Sequence, residues 1–281
     1  MTHEAYPTIP PRFHELNDGA AHTVSRTAVN AKLPKMAKVE LGLDTVQRAA
    51  VPDDRVDWDT DFPDYNPPVI DLPRGATSFR KEGDKPDPAD PAQIAEFASL
   101  ETSHVRRDQN QWPLNPVGRT GMRGRGMLDK WGATPAADPI LTRDSPETGK
   151  LEALLIQRGD TGEWALPGGK VDDGEEPWEA AARELVEEAG VRGVDLDFSR
   201  APVVYAGYVD DSRNTDNAWM ESTALHLHLD GQQAQAVTIE AGSDADAARW
   251  VPVNDELYGN LFASHGQYLR LAVDGASSGN A

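Results

Sequence analysis

The segment from Gly168 to Val191 constrains the fold of this chain more than any other stretch. It reads GGKVDDGEEPWEAAARELVEEAGV. Pro177 stands where a first helical turn tolerates proline, and Gly190 stands where a helix usually stops. Apolar residues recur between them at helical spacing, namely Trp178, Ala181, Ala182, Leu185 and Ala189. The pattern predicts an amphipathic helix over residues 177–189.

Three glutamates of this helix lie away from the apolar stripe. Glu184, Glu187 and Glu188 are three and four residues apart, so their carboxylates share one helical face within about 6 Å of rise. Like charges repel at this spacing, and a hard divalent cation such as Mg²⁺ would resolve the repulsion because it accepts carboxylate oxygens as ligands. A solvated acidic surface is the simpler interpretation of three glutamates taken alone.

Around the helix, the sequence alternates between apolar strands and short loops. Strands are predicted over residues 151–157, 203–209, 219–229 and 249–253, and a final helix over residues 264–273. The third strand alternates in character, and we place His226 and His228 on it as surface residues. Strands and helices in this order predict an α/β (α+β) fold with helices packed on the faces of a mixed sheet.

The N-terminal half has a different composition. Residues 1–32 show no sustained periodicity, which predicts a mobile or draped arm. Residues 51–73 combine five prolines with Asp and aromatic residues, which is typical of extended strands joined by turns. A short helix is predicted from Pro91 to Leu100. We therefore predict an arm over residues 1–32, a smaller β-rich domain over 33–135 and a second domain over 136–281.

The composition argues against several classes of function. The chain has 27 basic and 47 acidic residues, a formal net charge of −20, so its surface repels a polyanion such as DNA and we expect no nucleic-acid partner. It contains no cysteine, which excludes disulfides and a cysteine nucleophile. No apolar run reaches the ~18 residues of a membrane span, and the N-terminus lacks a secretory pattern. We expect a cytoplasmic monomer that binds no membrane.

The residues around the predicted helix match a known motif. Gly169 is followed after five residues by Glu175, and after seven more by the run RELVEEAGV from Arg183 to Val191. This arrangement resembles a complete Nudix box. The resemblance implies a Nudix fold, an α/β/α sandwich around a mixed sheet. It also implies Mg²⁺-dependent cleavage of a nucleoside diphosphate linked to another group, with Mn²⁺ as an alternative metal.

The same resemblance implies roles for individual residues. Glu184, Glu187 and Glu188 would be metal ligands, and Gly168 would belong to the metal site because glycine lets the backbone approach closely. Arg183 would hold the loop and the glutamates by ion pairing, and we count it with Glu187 and Glu188 as catalytic.

Attack by water on phosphorus benefits from a general base. Glu187 is our preferred candidate for that base. Glu240 and Asp244, which precede the strand at residues 249–253, are alternatives that the sequence leaves open.

Outside the box, one segment is locally cationic. Residues 115–143 concentrate Arg119, Arg123 and Arg125 among glycines, with no acidic residue before Asp129. Arginines on a glycine-rich backbone suit an anionic ligand whose phosphates need both charge and close approach. The alternative is a structural loop in which these arginines pair with the many aspartates of the chain.

Two further segments carry candidate substrate contacts. The loop within residues 205–221 contains Asp210, Asp211, Arg213, Asn214, Asp216 and Asn217. These polar side chains could read ribose hydroxyls or build a tight turn. His265 stands at the start of the final helix, where backbone amides favour anions, although a lone histidine is more often structural.

Taken together, these segments resemble the ADP-ribose pyrophosphatase branch of the Nudix family and the related ADP-ribose-sensing domain of a melastatin-type cation channel. The likeness extends from about Val51 to Val273 and includes NPVGRTG, ADPI and the RNTDNAWME stretch. It implies hydrolysis of ADP-ribose to AMP and ribose 5-phosphate, with substrate contacts from Asp211, Arg213 and His265. It further implies that the N-terminal domain helps to shape the substrate pocket.

Two rival functions stay open at this point. One is a sensor module that binds ADP-ribose without cleaving it, which would be marked by loss of box carboxylates. Glu184, Glu187 and Glu188 are all present, which favours the enzyme. The other rival is a Nudix hydrolase of a different nucleoside diphosphate derivative, such as NADH or a nucleotide sugar.

Overall fold

The computed structural model describes residues 45–71, 87–94, 97–128, 130–159, 162–241 and 245–278, together with Pro10, Phe13 and residues 30–32. Most of the predicted N-terminal arm therefore lies outside the described residues. No helix within these ranges is long and apolar enough to cross a membrane.

The chain divides into two compact units. Arg12–Thr134 and Gly207–Glu221 form one of them, which we call the N-terminal unit. Pro135–Ala206 and Ser222–Ala281 form the other, which we call the C-terminal unit. The segment Gly207–Glu221 thus groups with residues that lie far from it in sequence.

The described strands and helices are numbered in their order along the chain. The strands are β1 (Asn30–Lys32), β2 (Thr45–Gln47), β3 (Val69–Asp71), β4 (Arg123–Gly126), β5 (Gly132–Asp144), β6 (Leu151–Arg158), β7 (Trp164–Ala165), β8 (Gly169–Lys170), β9 (Val203–Tyr208), β10 (Ala218–Leu229) and β11 (Ala245–Pro252). The helices are α1 (Pro177–Ala189), α2 (Gly231–Ala236), α3 (Asp255–Tyr258) and α4 (His265–Ser278).

A seven-stranded sheet carries the C-terminal unit. Its main path runs β11-β6-β5-β10-β9, with β7 paired to β6 and β8 paired to β5. The pairs β11/β6, β5/β6, β5/β8 and β6/β7 are antiparallel. The four strands predicted over residues 151–253 are confirmed, and β11 begins four residues earlier than predicted.

Helix α1 packs on this sheet through the side of its predicted apolar stripe. Ala181, Leu185 and Ala189 belong to one buried cluster with Leu154 and Ile156 of β6. Burying a leucine or isoleucine side chain in such a cluster stabilises the fold by about 1.5–3 kcal/mol. The packing therefore fixes which face of α1 remains for the glutamates. The predicted α/β (α+β) architecture, a mixed sheet with helices packed on it, is confirmed.

The described strands of the N-terminal unit are short. β1 and β2 pair antiparallel, and β3 and β4 pair parallel. Its aromatic core contains Phe13, Tyr208 and Trp219, and the Phe13 ring meets the Tyr208 ring edge-to-face with centroids 5.0 Å apart.

Three local predictions were wrong. The helix expected from Pro91 to Leu100 is only a 3-10 turn, Pro91–Gln93, because Ile94 adopts an extended backbone. Trp178 is 38% exposed although it falls on the apolar stripe, since it lies in the first turn of α1. His226 is buried because nearly all of β10 is covered on both faces, whereas His228 is exposed as expected.

Candidate active site

Both ends of α1 are fixed by local backbone chemistry. Glu176 and Glu179 form a capping box, in which each side chain accepts a hydrogen bond from the other residue's backbone N–H, and Pro177 occupies the first turn. Gly190 ends the helix with φ of 56°, and a Cβ there would lie 2.4 Å from the carbonyl oxygen of Glu240. A glycine is therefore required at this position.

Arg183 lies at the centre of the acidic cluster. Its Nε and Nη2 donate to the two carboxylate oxygens of Glu175, each at 2.8 Å, and Nη1 donates to Glu184 and, at 3.2 Å, to Glu187. Nη2 also donates to the carbonyl of Lys170 at 2.9 Å. The hydrogen bond with Glu175 first, and then that with Glu184, raise the pKa of Arg183 against the opposing effect of burial. One guanidinium thus ties the loop before α1 to the glutamates, as the Nudix resemblance implied.

Glu184 and Glu187 differ in their exposure. Glu184 is only 5% exposed and lies against Gly169, where a Cβ would come within 2.6 Å of its carboxylate. Gly169 therefore makes room for Glu184. The Glu187 side chain is 48% exposed, so its carboxylate is open to solvent and to a ligand.

Glu188 is half-buried and interacts with the glycine loop. Its Oε2 accepts a hydrogen bond from the Gly168 N–H at 2.9 Å. Burial raises the pKa of Glu188 to about 7, and the charges of Glu184 and Asp138 act in the same direction, whereas the Gly168 bond and Arg158 lower it. A carboxyl group with this pKa can hold or release a proton near neutral pH.

The donor set fits a hard divalent cation. Glu184, Glu187 and Glu188 offer carboxylate oxygens from one face of α1, as Mg²⁺ or Mn²⁺ requires. Within the described residues, no group of three or more potential ligands already stands in a coordinating arrangement. Arg183 bonds the carboxylates of Glu184 and Glu187. Metal binding would therefore replace some of the Arg183 contacts and rearrange these side chains.

His265 lies in the same unit, with both ring nitrogens facing protein groups. Nδ1 accepts a hydrogen bond from the Leu166 N–H at 2.9 Å, and Nε2 lies 3.8 Å from Oδ1 of Asp138. The ring also meets Phe262 edge-to-face. Asp138 is a site residue that the sequence analysis did not single out. In the sequence, the position of Asp138 within the ADPI segment was the only indication of a role for this residue.

Arg119, the first of the three arginines in the cationic segment, donates several hydrogen bonds to backbone carbonyl groups. Its guanidinium donates to the carbonyls of Arg55 at 2.8 Å, Asp57 at 2.5 Å and Thr60 at 3.1 Å. It also lies 4.9 Å from the centroid of the Trp58 ring. Arg119 thus bonds backbone carbonyls and not the aspartate side chains that the structural alternative named, and substrate binding by Arg119 stays a prediction.

Arg123 and Arg125 each pair with an aspartate. Arg123 bonds Asp108 at 2.7 Å, and Arg125 bonds Asp71 at 2.5 Å as well as the carbonyl of Asp87. This is the pairing with surplus aspartates that the structural alternative for the segment anticipated. Substrate binding by these two residues stays a prediction.

Most side chains of the 210–217 loop build the fold. Asp216 is fully buried and accepts bonds from the Thr120 N–H at 2.7 Å, the Thr120 hydroxyl at 2.9 Å and the Tyr65 hydroxyl at 2.7 Å. Burial raises the pKa of Asp216. Asn214 donates to the carbonyl of Val209, and Asn217 donates to that of Pro113.

The predicted substrate residues Asp211 and Arg213 form an ion pair within this loop. Arg213 Nε and Nη2 donate to the two oxygens of Asp211 at 2.7 and 2.5 Å. Asp211 is buried, while the Arg213 side chain is 19% exposed. The aspartate thus fixes the direction of the guanidinium.

The predicted site residues fall in both units. Gly168, Arg183, Glu184, Glu187, Glu188 and His265 lie in the C-terminal unit, whereas Arg119, Arg123, Arg125, Asp211 and Arg213 lie in the N-terminal unit. Of the alternative bases, Glu240 has an exposed side chain and donates its backbone N–H to Ala189. Asp244 lies outside the described residues.

Comparison with protein families gives two adjacent matches. Residues 134–272 match the NUDIX domain, and residues 51–132 match the NUDT9-like, N-terminal domain.

Individual relatives agree with these matches. The chain is 38% identical to "Putative nudix hydrolase 6" of Caenorhabditis elegans over 89% of its own length and 98% of that protein. It is 38% identical to "ADP-ribose pyrophosphatase, mitochondrial" of Rattus norvegicus over 82% of the chain and 74% of that protein. It is also 38% identical to the "Transient receptor potential cation channel subfamily M member-like 2" of Nematostella vectensis, over 79% of the chain but 16% of the channel. The chain therefore belongs to the Nudix hydrolase family and joins a Nudix domain to a NUDT9-like N-terminal domain.

Proposed function

We propose that this protein hydrolyses ADP-ribose to AMP and ribose 5-phosphate in a reaction that depends on Mg²⁺. The observation that carries the proposal is the intact set of Glu184 and Glu187, both bonded to Arg183, and Glu188, bonded to the Gly168 N–H. The similarity to a relative named as an ADP-ribose pyrophosphatase, which extends over 82% of the chain, supports the choice of substrate.

The chemistry divides between the metal and the side chains. Glu184, Glu187 and Glu188 would hold a divalent cation, which would supply neutralisation of the charge on the pyrophosphate oxygens. The chain itself positions these groups: Arg183 fixes the loop and two glutamates, and Gly168 orients Glu188 through its N–H. Glu187, which is open to solvent, accepts the proton of the attacking water at its carboxylate. The new oxygen–phosphorus bond forms as the bridging phosphorus–oxygen bond breaks, which releases the two monophosphates.

Three of the predicted substrate residues are kept in the proposal. The proposal keeps Asp211, Arg213 and His265 as substrate contacts. For Arg213, the support is that Asp211 orients its guanidinium by two hydrogen bonds and that its side chain is partly exposed. For Arg119, Arg123 and Arg125, the observed hydrogen bonds and ion pairs favour a structural role.

A panel of substrates tests the proposal directly. The protein is incubated with Mg²⁺ and ADP-ribose, NADH, ADP-glucose or a diadenosine polyphosphate, and the products are identified by chromatography and mass spectrometry. We expect AMP to be released fastest from ADP-ribose. Faster cleavage of another compound would transfer the assignment to that substrate.

A second candidate function is binding of ADP-ribose without cleavage. Similarity to a named cation channel motivates it. Calorimetric titration of ADP-ribose in the presence of Mg²⁺, followed by product analysis of the same sample, separates the two. Saturable binding with no AMP after prolonged incubation would favour the binding module, against the expectation from the intact carboxylates.

The proposal includes Mg²⁺ as the metal, with Mn²⁺ as a substitute, and a cytoplasmic monomer with no nucleic-acid or membrane partner. The all-oxygen donor set supports the choice of metal, and the net charge of −20 supports the absence of a nucleic-acid partner. Activity in a series of chelated and metal-supplemented samples, sedimentation velocity and cell fractionation test these points separately.

A further inference from the structure

Asp138 of β5 has a position that the assigned roles do not explain. Its carboxylate is buried, with the residue 8% exposed. The Ser222 hydroxyl donates to Oδ2 at 2.5 Å, and Oδ1 faces Nε2 of His265 at 3.8 Å. A buried carboxylate is costly unless neighbouring groups orient and stabilise it. The cost makes a mere space-filling role for Asp138 an unfavourable explanation.

The hydrogen bond from Leu166 to His265 determines where the proton of the neutral ring lies. Nδ1 accepts from the Leu166 N–H at 2.9 Å, so in the neutral ring the proton is on Nε2. Nε2 is the nitrogen that faces Asp138. At 3.8 Å the contact is electrostatic and not a hydrogen bond, and a negative charge on that side of the ring favours the tautomer with the proton on Nε2.

The other side of Asp138 touches the glycine loop. A Cβ on Gly168 would lie 2.3 Å from Asp138 Oδ1, so the carboxylate packs directly against the Gly168 backbone. The same residue donates its N–H to Glu188 at 2.9 Å. The loop over residues 166–168 is therefore held at Leu166 by His265 and at Gly168 by Asp138, and it in turn orients Glu188.

We propose that Asp138 is a positioning residue for Glu188, acting through the tautomer of His265 and the backbone of residues 166–168. The proposal rests on the proposed hydrolysis of ADP-ribose for its kinetic consequence. Its structural consequence, the proton position on His265, can be measured whether or not ADP-ribose is the substrate.

The kinetic test compares Asp138→Asn with wild type and with Asp144→Asn. Asp144 lies on the same strand but is exposed, so the control makes the same chemical change outside the cluster. We expect Asp138→Asn to lower kcat for ADP-ribose by about tenfold to a hundredfold, the usual effect of losing an outer-shell partner. KM should change less than kcat, because the effect on Glu188 falls on the reaction more than on ground-state binding and only the effect on His265, a proposed substrate contact, reaches KM. Asp144→Asn should match wild type.

The spectroscopic test uses the ring nitrogens of His265 in ¹⁵N-labelled protein, assigned with His265→Asn. In wild type we expect Nδ1 to be unprotonated and Nε2 to carry the proton. In Asp138→Asn we expect a mixture of tautomers and faster hydrogen exchange of the Leu166 amide. If the wild-type protein does not cleave ADP-ribose, the proposed function is wrong. The spectroscopic test still shows whether Asp138 determines the tautomer of His265.

Two further variants keep the proposal falsifiable. Should Asp138→Asn fail to fold, Ser222→Ala loosens the same carboxylate without removing its charge, and we expect a smaller loss of kcat in the same direction. The amide oxygen introduced by His265→Asn can still accept a hydrogen bond from Leu166. When His265→Asn is already present, Asp138→Asn should lower kcat much less than it does in the wild-type protein. An unchanged tautomer in Asp138→Asn, or equal losses with and without His265, would overturn the proposal.

Discussion

The surroundings of α1 and the loop over residues 210–217 contain similar polar side chains but satisfy them in different ways. Around α1, the single guanidinium of Arg183 is shared by Glu175, Glu184 and Glu187. In the loop, Arg213 has a carboxylate of its own in Asp211, and the neighbouring side chains bond to backbone groups. Three carboxylates therefore share one cation in the first region, whereas in the second Arg213 is paired with Asp211, and Asp216 is satisfied by hydrogen bonds from Thr120 and Tyr65.

This difference separates a site that can recruit a ligand from one that holds the fold together. In the loop, Asn214, Asp216 and Asn217 are almost fully buried and are bonded to backbone groups that the fold holds at fixed positions, so these side chains are committed to structure. An excess of carboxylates on one helical face is destabilising by itself and is relieved by a cation. Four predictions test this distinction, in order of the expected effect.

Removing one carboxylate from the α1 cluster should abolish most of the activity but not the fold. For Glu188→Gln, and likewise for Glu187→Gln, we expect turnover of ADP-ribose to fall by about 10²- to 10⁴-fold. Thermal unfolding and ADP-ribose binding should stay close to wild type. Glu147→Gln, at an exposed position in a turn, is the matched control. Turnover near wild type in both variants would remove the metal-ligand assignment.

Removing one carboxylate from the loop over residues 210–217 should have the opposite effect, because it should destabilise the fold. Asp216→Ala leaves buried groups of Thr120 and Tyr65 without their acceptor and Arg48 without a nearby buried carboxylate. We expect the free energy of unfolding in urea to fall by about 3 to 5 kcal/mol, as for breaking a buried pair. Asp54→Ala, at a side chain that is 77% exposed, should change it by less than about 0.5 kcal/mol. A small loss for Asp216→Ala would contradict a structural role.

His226, a buried polar residue of the C-terminal unit, should contribute to the stability of the fold, as we expect of Asp216. His226 is bonded to the Thr142 hydroxyl at 2.8 Å, and burial, with a smaller effect of His228, lowers its pKa to about 4. Below an unfolded pKa of about 6.5 the unfolded chain binds a proton that the folded chain does not bind until pH 4. The free energy of unfolding should therefore decrease as the pH is lowered from about 6.5 to about 4, by about 3 kcal/mol in total.

Denaturant unfolding at a series of pH values measures this slope. His226→Gln, whose amide can still meet Thr142, should remove the contribution between pH 6.5 and 4. His228→Gln should retain most of it, because His228 is exposed. An equal slope in wild type and His226→Gln would show that other groups control the acid sensitivity.

Arg213→Ala tests whether the loop also serves the substrate. We expect KM for ADP-ribose to rise by about tenfold with a smaller change in kcat, because a residue that binds substrate in ground and transition states alters KM first. Arg106→Ala breaks a comparable but exposed pair with Asp59 and should leave KM unchanged. An unchanged KM in Arg213→Ala would limit this arginine to its contact with Asp211.

Local periodicity was sufficient to locate the helix and the strands that carry the acidic cluster. The ends of α1 follow from Pro177 and Gly190, whose backbone preferences act without reference to the rest of the chain. The spacing of Glu184, Glu187 and Glu188 places them on one face for the same reason. The identity of the motif, and with it the family, could also be obtained from sequence alone.

Periodicity failed where burial depends on what covers a face. Trp178 lies on the apolar stripe and is exposed, while Glu184 lies on the acidic face and is buried beneath Gly169. His226 is covered because β10 is buried on both faces for most of its length. A pattern shows which residues share a side of an element, but not which neighbouring element packs there.

The sequence by itself determined the α1 helix, its row of glutamates and the Nudix family, because these depend on residue spacing within one short segment. Tertiary structure decided which polar residues are committed to the fold. It brought Asp138, Ser222 and His265 together from three distant segments and gave Asp216 its partners from Thr120 and Tyr65. Hydrogen bonds between distant segments exist only once the chain has folded, so no local pattern records them.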